Sequence, residues 1–260
     1  MPLSVETLQR LIQVLFRLYF CYMKTNKIHR VINFSGGRTS ALMTILTYKE
    51  GDLVIFCDTG REHEKTYKFI NDFEAFENIP IIRLKYEGGF ERLIEKRKAL
   101  PNIMMRFCTI ELKIKTARRY LRSIGVKGYL NFIGFRKDEP LRIVRRKKMW
   151  KSVTDAFPLN DLEITKKQVS EYWSKKPYDL EIPPLLGNCD LCFLKGKNAI
   201  IQILRDNPEL ADKWIADEEK IGATYIKGIS YKTMLEASKK VNGQVSLFDI
   251  EPAFNCSCTA

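Results

Sequence analysis

Short, mostly apolar stretches separated by helical patterns fill the first half of the chain. The stretches occupy residues 31–34, 52–57, 79–84 and 129–133, and their branched and aromatic side chains are typical of buried strands. Between them, apolar residues recur every three or four positions, as on one face of a helix. Strands that alternate with helices predict an α/β fold with a doubly wound, Rossmann-like parallel sheet, whose ligands bind at the carboxyl ends of the strands.

Residues 35–40, with the sequence Ser-Gly-Gly-Arg-Thr-Ser, stand where the first strand ends and a helix begins. Two glycines allow the backbone to turn with positive φ and to approach a ligand closely. Hydroxyl groups at Ser35, Thr39 and Ser40 can cap the helix, and the helix N-terminus attracts negative charge. The stretch therefore predicts a phosphate-binding loop, with a plain connecting turn as the alternative. It lacks the lysine and the glycine spacing of a Walker A loop.

Two further polar stretches follow predicted strands. Asp58-Thr59-Gly60 follows the second strand, and residues 134–139, Gly-Phe-Arg-Lys-Asp-Glu, follow a later one. Each is a plain turn in its simplest interpretation. Because the carboxyl ends of parallel strands meet at one edge of a sheet, we expect these stretches to lie near the residue 35–40 loop.

Seven cysteines are present, and their spacing does not indicate a disulfide framework. Cys189 and Cys192 have the C-x₂-C spacing that lets two sulfurs reach one metal, and Cys256 and Cys258 form a second close pair. Cys108 stands at a predicted helix start beside basic residues, which favour the thiolate. Thiolates are nucleophiles and metal ligands, so this usage indicates a reducing compartment, the cytoplasm, with metal or redox chemistry.

A four-thiolate site needs two ligands besides Cys189 and Cys192. Cys108 and one tail cysteine would complete a 4Fe–4S cluster or a zinc site. We assign Cys256 as the fourth ligand and Cys258 as the free thiol, and the exchange of these two roles stays open. A redox dithiol, or burial of the C-x₂-C pair in the core, is the alternative.

Taken together, five short motifs in a fixed order resemble the phosphoadenosine phosphosulfate (PAPS) reductase family, within the PP-loop adenine nucleotide α-hydrolase-like superfamily. The resemblance covers about residues 28–200. The motifs are Ser-Gly-Gly-x-x-Ser from Ser35, Asp-Thr-Gly from Asp58, Arg-x-Cys-Thr-x-x-Leu-Lys from Arg106, Gly-x-Arg-x-x-Glu from Gly134 and Cys-x-x-Cys from Cys189.

This resemblance implies an adenine nucleotide ligand and roles for individual residues. Arg136 would contact the anionic part of the nucleotide, Asp138 would position that arginine or act on a protonated or metal-bound group, and Cys258 would carry sulfur. An iron–sulfur cluster is favoured over zinc, since relatives with a similar cysteine set use such clusters. Phosphate or sulfate oxygens would be held by Ser35, Gly36, Gly37, Arg38, Thr39 and Ser40. Asp58, Thr59, Gly60 and Gly134 would lie beside the nucleotide.

The chain also departs from that family. The reductases end in Glu-Cys-Gly-x-His, whereas this chain ends Asn-Cys-Ser-Cys-Thr-Ala, and the Cys-Cys pair of cluster-containing reductases is here Cys108-Thr109. These differences favour relatives that activate a substrate with ATP and deliver sulfur, such as tRNA-thiolating and DNA-phosphorothioating enzymes.

Three functions therefore stay open. The first is an ATP-dependent, adenylating sulfurtransferase that uses Mg²⁺, with a sulfur donor such as a cysteine desulfurase. The second is a reductase of PAPS or adenosine phosphosulfate (APS) that forms sulfite. The third is a nucleotide- or nucleic-acid-binding module with a structural metal.

Charge adds one candidate partner. Lys and Arg number 44 against 31 Asp and Glu, a formal charge of +13, which favours polyanionic partners. Six basic residues with Trp150 between them would suit a nucleic-acid backbone with one stacked base, and a solvated charged face is the alternative. They are Arg142, Arg145, Arg146, Lys147, Lys148 and Lys151.

Three segments are predicted along the chain. Residues 1–27 form an N-terminal, helical extension, residues 28–160 the nucleotide-binding domain, and residues 161–260 a smaller helical part that carries the cysteine pairs. The apolar run 11–23 is interrupted by Gln13 and Arg17, so it is too short and too polar to cross a membrane. A homodimer is a plausible assembly.

Overall fold

The computed structural model describes residues 28–146, 150–183, 185–187 and 189–240, and the fold is given for these residues alone. They contain a parallel sheet of five strands in the order β3-β2-β1-β4-β5. The strands are β1 (His29–Asn33), β2 (Leu53–Asp58), β3 (Ile82–Lys85), β4 (Tyr129–Phe132) and β5 (Val153–Ala156). The predicted extension, residues 1–27, and the tail cysteines Cys256 and Cys258 lie outside the described residues.

Helices connect the strands and follow the sheet. One of them is a π-helix (Thr109–Lys115), and two are short 3₁₀ helices (Phe193–Lys195 and Pro208–Leu210). The α-helices are α1 (Arg38–Thr47), α2 (Glu64–Glu77), α3 (Gly89–Arg97), α4 (Thr116–Ser123), α5 (Pro140–Val144), α6 (Pro158–Asp161), α7 (Lys166–Trp173), α8 (Lys197–Asp206), α9 (Ala211–Ile221) and α10 (Tyr231–Lys240).

Both faces of the sheet are covered, because successive strand residues point to opposite sides. On one face, Ile32 and Phe56 pack with residues of α1, α2 and α7. On the other, Val31 and Ile55 pack against Ala117 and Leu121 of α4. This is the doubly wound arrangement that the alternation of strands and helices predicts, and the fold class is confirmed.

A second core joins the C-terminal helices to α3. Trp214 of α9 and Tyr231 of α10 are fully buried there with Leu93 of α3. Cys189 and Cys192 are buried in the same core, beside the 3₁₀ helix that precedes α8. The predicted division of the chain at residues 27 and 160 stays a prediction.

Most predicted elements are confirmed, with three differences. The strand predicted over residues 79–84 begins only at Ile82, and the helix predicted to start at Cys108 consists of the π-helix followed by α4. Strand β5 was not predicted, since it has only four residues and only Val153 of them is fully buried. Over the described residues, no helix is both long and apolar enough to cross a membrane.

Candidate functional site

The order of the strands reverses at β1, which lies between β2 and β4. In open parallel sheets, ligands bind in the crevice at the carboxyl ends of the strands where this reversal occurs. The residue 35–40 loop follows β1 and residues 134–139 follow β4. The two stretches therefore stand on either side of the crevice.

The two glycines of the residue 35–40 loop have different conformations. Gly36 has φ of +76°, which side chains rarely adopt, and a Cβ there would lie 2.6 Å from Thr66 Cγ2. Gly37 is extended, with φ of −110° and ψ of 157°, and is the N-cap residue of α1. Positive φ at both glycines was expected, and for Gly37 this is wrong. Gly36 makes the tight turn, while Gly37 starts the helix without a capping side chain.

A pair of serines closes the loop. Ser40 Oγ accepts a hydrogen bond from the Ser35 backbone N–H at 3.0 Å and lies 2.9 Å from Ser35 Oγ. The Ser40 hydroxyl also lies within 2.9 Å of the Gly37 carbonyl, to which it donates. Ser40 is only 1% exposed, so it stabilises the loop, whereas Ser35 is half-buried at the crevice.

The loop after β4 contacts the first turn of α1. A Cβ on Gly134 would lie 3.4 Å from the Cα of Ser40, so the missing side chain lets the two backbones approach. Arg136 Nη1 donates to Thr39 Oγ1 at 3.3 Å. The structure thus brings Gly134 and Arg136 to the residue 35–40 loop, as predicted for strand ends that share one edge.

Two carboxylates fix Arg136. Its Nε donates to Asp138 Oδ1 at 2.9 Å, and Nη1 lies 3.3 Å from Glu139 Oε2. Partial burial acts to raise the pKa of Asp138, but hydrogen bonding and charge from Arg136 outweigh it and hold that pKa below its ordinary value. Asp138 is therefore a carboxylate at neutral pH, which suits the positioning of Arg136.

Arg38 points to a residue that the motifs did not identify. Its Nε and Nη2 donate to the two carboxylate oxygens of Asp179 at 2.6 and 2.5 Å. Trp173 Nε1 donates to the Arg38 carbonyl at 2.9 Å. Since 141 residues separate Arg38 from Asp179, no local sequence pattern could reveal this pair.

The Asp58-Thr59-Gly60 turn ends β2 at the same edge of the sheet. Asp58 Oδ1 accepts hydrogen bonds from the Gly60 N–H and the Tyr67 hydroxyl, both at 2.7 Å. Burial and the hydrogen bond to Asp58 raise the pKa of Tyr67, which stays protonated. Thr59, which was expected beside the nucleotide, is buried and lies 3.6 Å from Cys189 Sγ.

The loop after β2 joins the sheet to the cysteine pair. The Asp190 N–H donates to the Arg61 carbonyl at 3.0 Å, and Glu62 forms a β-bridge with Cys189. Arg61 is 2% exposed and pairs with Asp217 of α9 at 2.8 Å. Cys189 and Cys192 are therefore held close to the carboxyl end of β2.

Cys108 packs against the same core that contains Cys189 and Cys192, directly before the π-helix. All three thiols therefore contribute to the same core, and their soft sulfur donors suit iron–sulfur or zinc. In the part of the chain that the structure describes, no group of three or more His, Cys, Asp or Glu side chains is arranged to hold a metal ion. The metal site, with Cys256 as fourth ligand, stays a prediction.

Part of the basic 142–151 stretch is tied to the sheet. Arg146 Nε lies 3.0 Å from Asp155 Oδ2 on β5, and Asp155 accepts from Asn131 of β4 at 2.7 Å. Arg142 pairs with Glu139 at 2.6 Å. Residues 147–149 lie outside the described residues. These pairs place the stretch along the β4 and β5 side of the crevice.

The chain is similar to several known proteins and to one family model. The family model for the phosphoadenosine phosphosulfate reductase domain matches residues 29–188. An uncharacterized nin region protein, ORF290 of Escherichia phage lambda, is 31% identical over 211 residues, which cover 69% of this chain and 71% of the phage protein.

Two longer proteins and one solved structure also match. The uncharacterized protein MJ0066 of Methanocaldococcus jannaschii is 28% identical over 76% of this chain, and MJ0973 of the same organism is 24% identical over 84%. The matches span only 44% and 54% of those proteins. A crystal structure of PAPS reductase from Candida auris, in complex with phosphate, has a TM-score of 0.43 and 20% identity, and the match covers 69% of this chain and 91% of that one.

Proposed function

Because the chain belongs to the phosphoadenosine phosphosulfate reductase domain family, we propose that it is an enzyme that binds an adenine nucleotide at the residue 35–40 loop. We further propose that the nucleotide is ATP and that its cleavage drives the transfer of sulfur to a nucleic acid or small molecule. The C-terminal departures from the reductase motifs favour this reaction over sulfonucleotide reduction.

One observation carries the proposal: the loops after β1 and β4 meet at the point where the strand order reverses. Gly36 makes a turn that only glycine can adopt without strain, and Gly37 is the N-cap residue of α1 and provides no capping side chain. Arg136 reaches Thr39 from the opposite loop. Free helix N–H groups and a fixed guanidinium are the donors that phosphate oxygens require.

In the proposed reaction, an acceptor oxygen attacks the α-phosphorus of ATP and the bond to pyrophosphate breaks. A persulfide formed by a donor such as a cysteine desulfurase then attacks the adenylated acceptor, and AMP leaves with the oxygen. An external thiol would attack the carrier sulfur of the resulting S–S bond, leaving the transferred sulfur on the acceptor and a disulfide between that thiol and the carrier. The N–H groups of the residue 35–40 loop and Arg136 would neutralise the phosphate charge as the first bond breaks. Bound Mg²⁺ would supply further charge neutralisation on the phosphates.

The cysteines belong to the proposal as a separate element. Cys108, Cys189 and Cys192 would hold a 4Fe–4S cluster together with Cys256, with zinc as the alternative, and Cys258 would carry sulfur. The shared core of the first three thiols supports this set. Their link to β2 through Thr59 and Glu62 would place the cluster near the crevice.

A second candidate function is the reduction of PAPS or APS to sulfite, which the description of the matching family favours. In that reaction a tail thiolate would attack the sulfonucleotide sulfur, the nucleotide would leave, and an external thiol would release sulfite from the enzyme. Both candidates use the same residue 35–40 loop, so nucleotide binding alone does not separate them.

Isothermal titration with ATP and with PAPS tests the nucleotide site. Gly37→Val adds a side chain over the first N–H groups of α1, where the nearest other atom, Ser35 Oγ, lies 3.6 Å from the place that the new Cβ would take. We expect a folded variant with at least about tenfold weaker binding, since one charged hydrogen bond contributes roughly 1.5–3 kcal/mol. Lys49→Gln is the control, because Lys49 lies in the loop before β2, at the amino ends of the strands and therefore away from the proposed site. If folded Gly37→Val binds ATP and PAPS as tightly as the wild type does, the residue 35–40 loop is not the nucleotide site.

A further inference from the structure

A cavity of about 400 Å³ opens at the carboxyl end of the edge strand β3, between α3 and α4. Its walls include Lys85, the last residue of β3, which pairs in register with Asp58 of β2. It shares no lining residue with the residue 35–40 loop. The cavity is therefore separate from the proposed nucleotide site but opens at the same edge of the sheet.

Positive charge dominates the lining of the cavity. Four basic side chains contribute to it, from β3, α3 and α4, and one acidic side chain, Glu87, also lines it. Glu87 pairs with Arg92 at 2.8 Å, so the other three basic side chains have no acidic partner in the lining of the cavity. The four basic residues are Lys85, Arg92, Lys96 and Arg119. Such a lining suits a phosphate-bearing ligand.

One of these cations is fixed beside aromatic rings. Arg119 Nη2 donates to Thr116 Oγ1 at 3.2 Å, and the guanidinium carbon lies 5.3 Å from the centre of the Tyr86 ring. Tyr120 also lines the cavity. Planar cations and aromatic rings are the groups on which unpaired nucleic-acid bases stack. The cavity thus combines phosphate-binding and base-stacking groups.

The basic surface continues beyond the cavity. Arg118, the neighbour of Arg119 on α4, extends to the other side of that helix, and its guanidinium carbon lies 3.8 Å from the centre of the Trp150 ring, next to β5. Arg118 is partly buried by this contact, and its Nη1 has no exposed surface, so it does not extend the charged surface to β5. Exposed Arg122 adds a further charge on α4. Arg119 and Arg122 are three residues apart and lie on the same face of α4, so the exposed charge continues from the cavity along that helix.

We propose that the cavity between β3, α3 and α4 binds one nucleotide unit of a single-stranded polynucleotide, whose backbone continues along α4 past Arg122. This inference rests on the proposed function in one respect, because it makes the polynucleotide the acceptor of sulfur. Pairing of Lys85 with Asp58 in register places the cavity beside the strand ends where the adenine nucleotide would bind. A single strand is favoured over a duplex because its bases are free to stack on tyrosine.

Fluorescence anisotropy with labelled single-stranded oligonucleotides of about eight nucleotides tests this site. We expect Arg119→Ala to weaken binding about tenfold and to reduce the dependence of affinity on salt, since one phosphate contact is lost. Lys85→Gln, at an exposed position, should show a smaller loss in the same direction. Lys49→Gln is the control of equal charge change, and its affinity should match the wild type. ATP affinity should be unchanged in all three variants.

Several results would overturn the proposal. If folded Arg119→Ala and Lys85→Gln bind the oligonucleotide as tightly as Lys49→Gln does, the cavity is not the binding site. AMP or inorganic phosphate that binds as tightly as the oligonucleotide, and loses affinity in Arg119→Ala, would show a small-molecule site instead. Tighter binding of a duplex than of the single strand would exclude stacking. Weak ATP binding together with intact, Arg119-dependent oligonucleotide binding would refute the proposed function and leave this site standing.

Discussion

Replacement of Gly36 by alanine is the sharpest test of the loop geometry. Gly36 has φ of +76°, and a Cβ there would lie 2.6 Å from Thr66 Cγ2 and 3.4 Å from Ile70 Cδ1. Thr66 is buried on α2, so it has little room to move. Gly37→Ala is the matched control, because Gly37 is extended and the nearest atom, Ser35 Oγ, lies 3.6 Å away.

Two separate costs combine at Gly36. A side chain in the left-handed region costs about 1–2 kcal/mol, and overpacking against Thr66 costs roughly 1–3 kcal/mol, so the free energy of unfolding should fall by about 2–5 kcal/mol. Thr66→Ser removes the clashing methyl group and alone costs about 1 kcal/mol. The double variant keeps only the backbone cost and the lost methyl, about 2–3 kcal/mol, so the two changes should couple by roughly 1–3 kcal/mol.

Urea denaturation of the four proteins of this cycle, followed by tryptophan fluorescence, gives the coupling directly. Gly37→Ala should cost about 1 kcal/mol or less, as loss of an N-cap glycine does. If Gly36→Ala costs no more than Gly37→Ala, the tight turn is not where the structure places it. Strict additivity of Gly36→Ala and Thr66→Ser would contradict the contact between the two residues.

Three further predictions concern other sites. Burial raises the pKa of Cys57 to about 11, so at pH 8 only about 0.1% is thiolate and iodoacetamide should label it far more slowly than an exposed thiol; fast labelling of native protein, read by peptide mass spectrometry, would contradict this. Asp217→Asn removes the 2.8 Å partner of buried Arg61 but leaves the 2.9 Å ion pair of Arg61 with Glu91. The free energy of unfolding should therefore fall by about 1–3 kcal/mol, less than for a buried charge left with no partner, and a loss below about 0.5 kcal/mol would contradict this. Burial acts to raise the pKa of Glu111, but its two basic partners outweigh it and lower that pKa, so the stabilisation is present above the ordinary glutamate pKa and is lost as pH falls through the lowered value. As the pH falls below about 4.5, the free energy of unfolding of Glu111→Gln should therefore decrease less than that of the wild type, as measured by denaturant titration at each pH. The same decrease in both proteins would refute this.

The sequence was informative where function and backbone geometry depend on local residue types. Short apolar stretches predicted four of the five strands that the structure describes, and polar residues just after them predicted the edge where Gly36, Asp58 and Arg136 lie. Glycines and polar residues at strand ends show their roles in the sequence itself, because turns require them there. Strand β5 gave no such signal, since only Val153 of its four residues is buried.

Contacts between distant parts of the chain were not predictable. Asp179 pairs with Arg38, which is 141 residues away in the sequence, and Thr59 contacts Cys189, which is 130 residues away. In both cases an ordinary polar residue acquires its role only through tertiary packing. The sequence also could not show that Ser40 is buried and hydrogen-bonded within the loop. A hydroxyl that stabilises a loop or helix start and one that binds a ligand look identical in a motif.

We propose above all that ATP bound at the residue 35–40 loop is cleaved between its α- and β-phosphates. The direct measurement is product analysis of anaerobically purified protein incubated separately with ATP and with PAPS, in the presence of a sulfide donor and single-stranded oligonucleotide. We predict AMP and pyrophosphate in equal amounts from ATP, incorporation of sulfur into the acceptor, and loss of all three in Gly37→Val but not in Lys49→Gln. Sulfite from PAPS, with no AMP or pyrophosphate from ATP, would contradict the claim and identify a sulfonucleotide reductase.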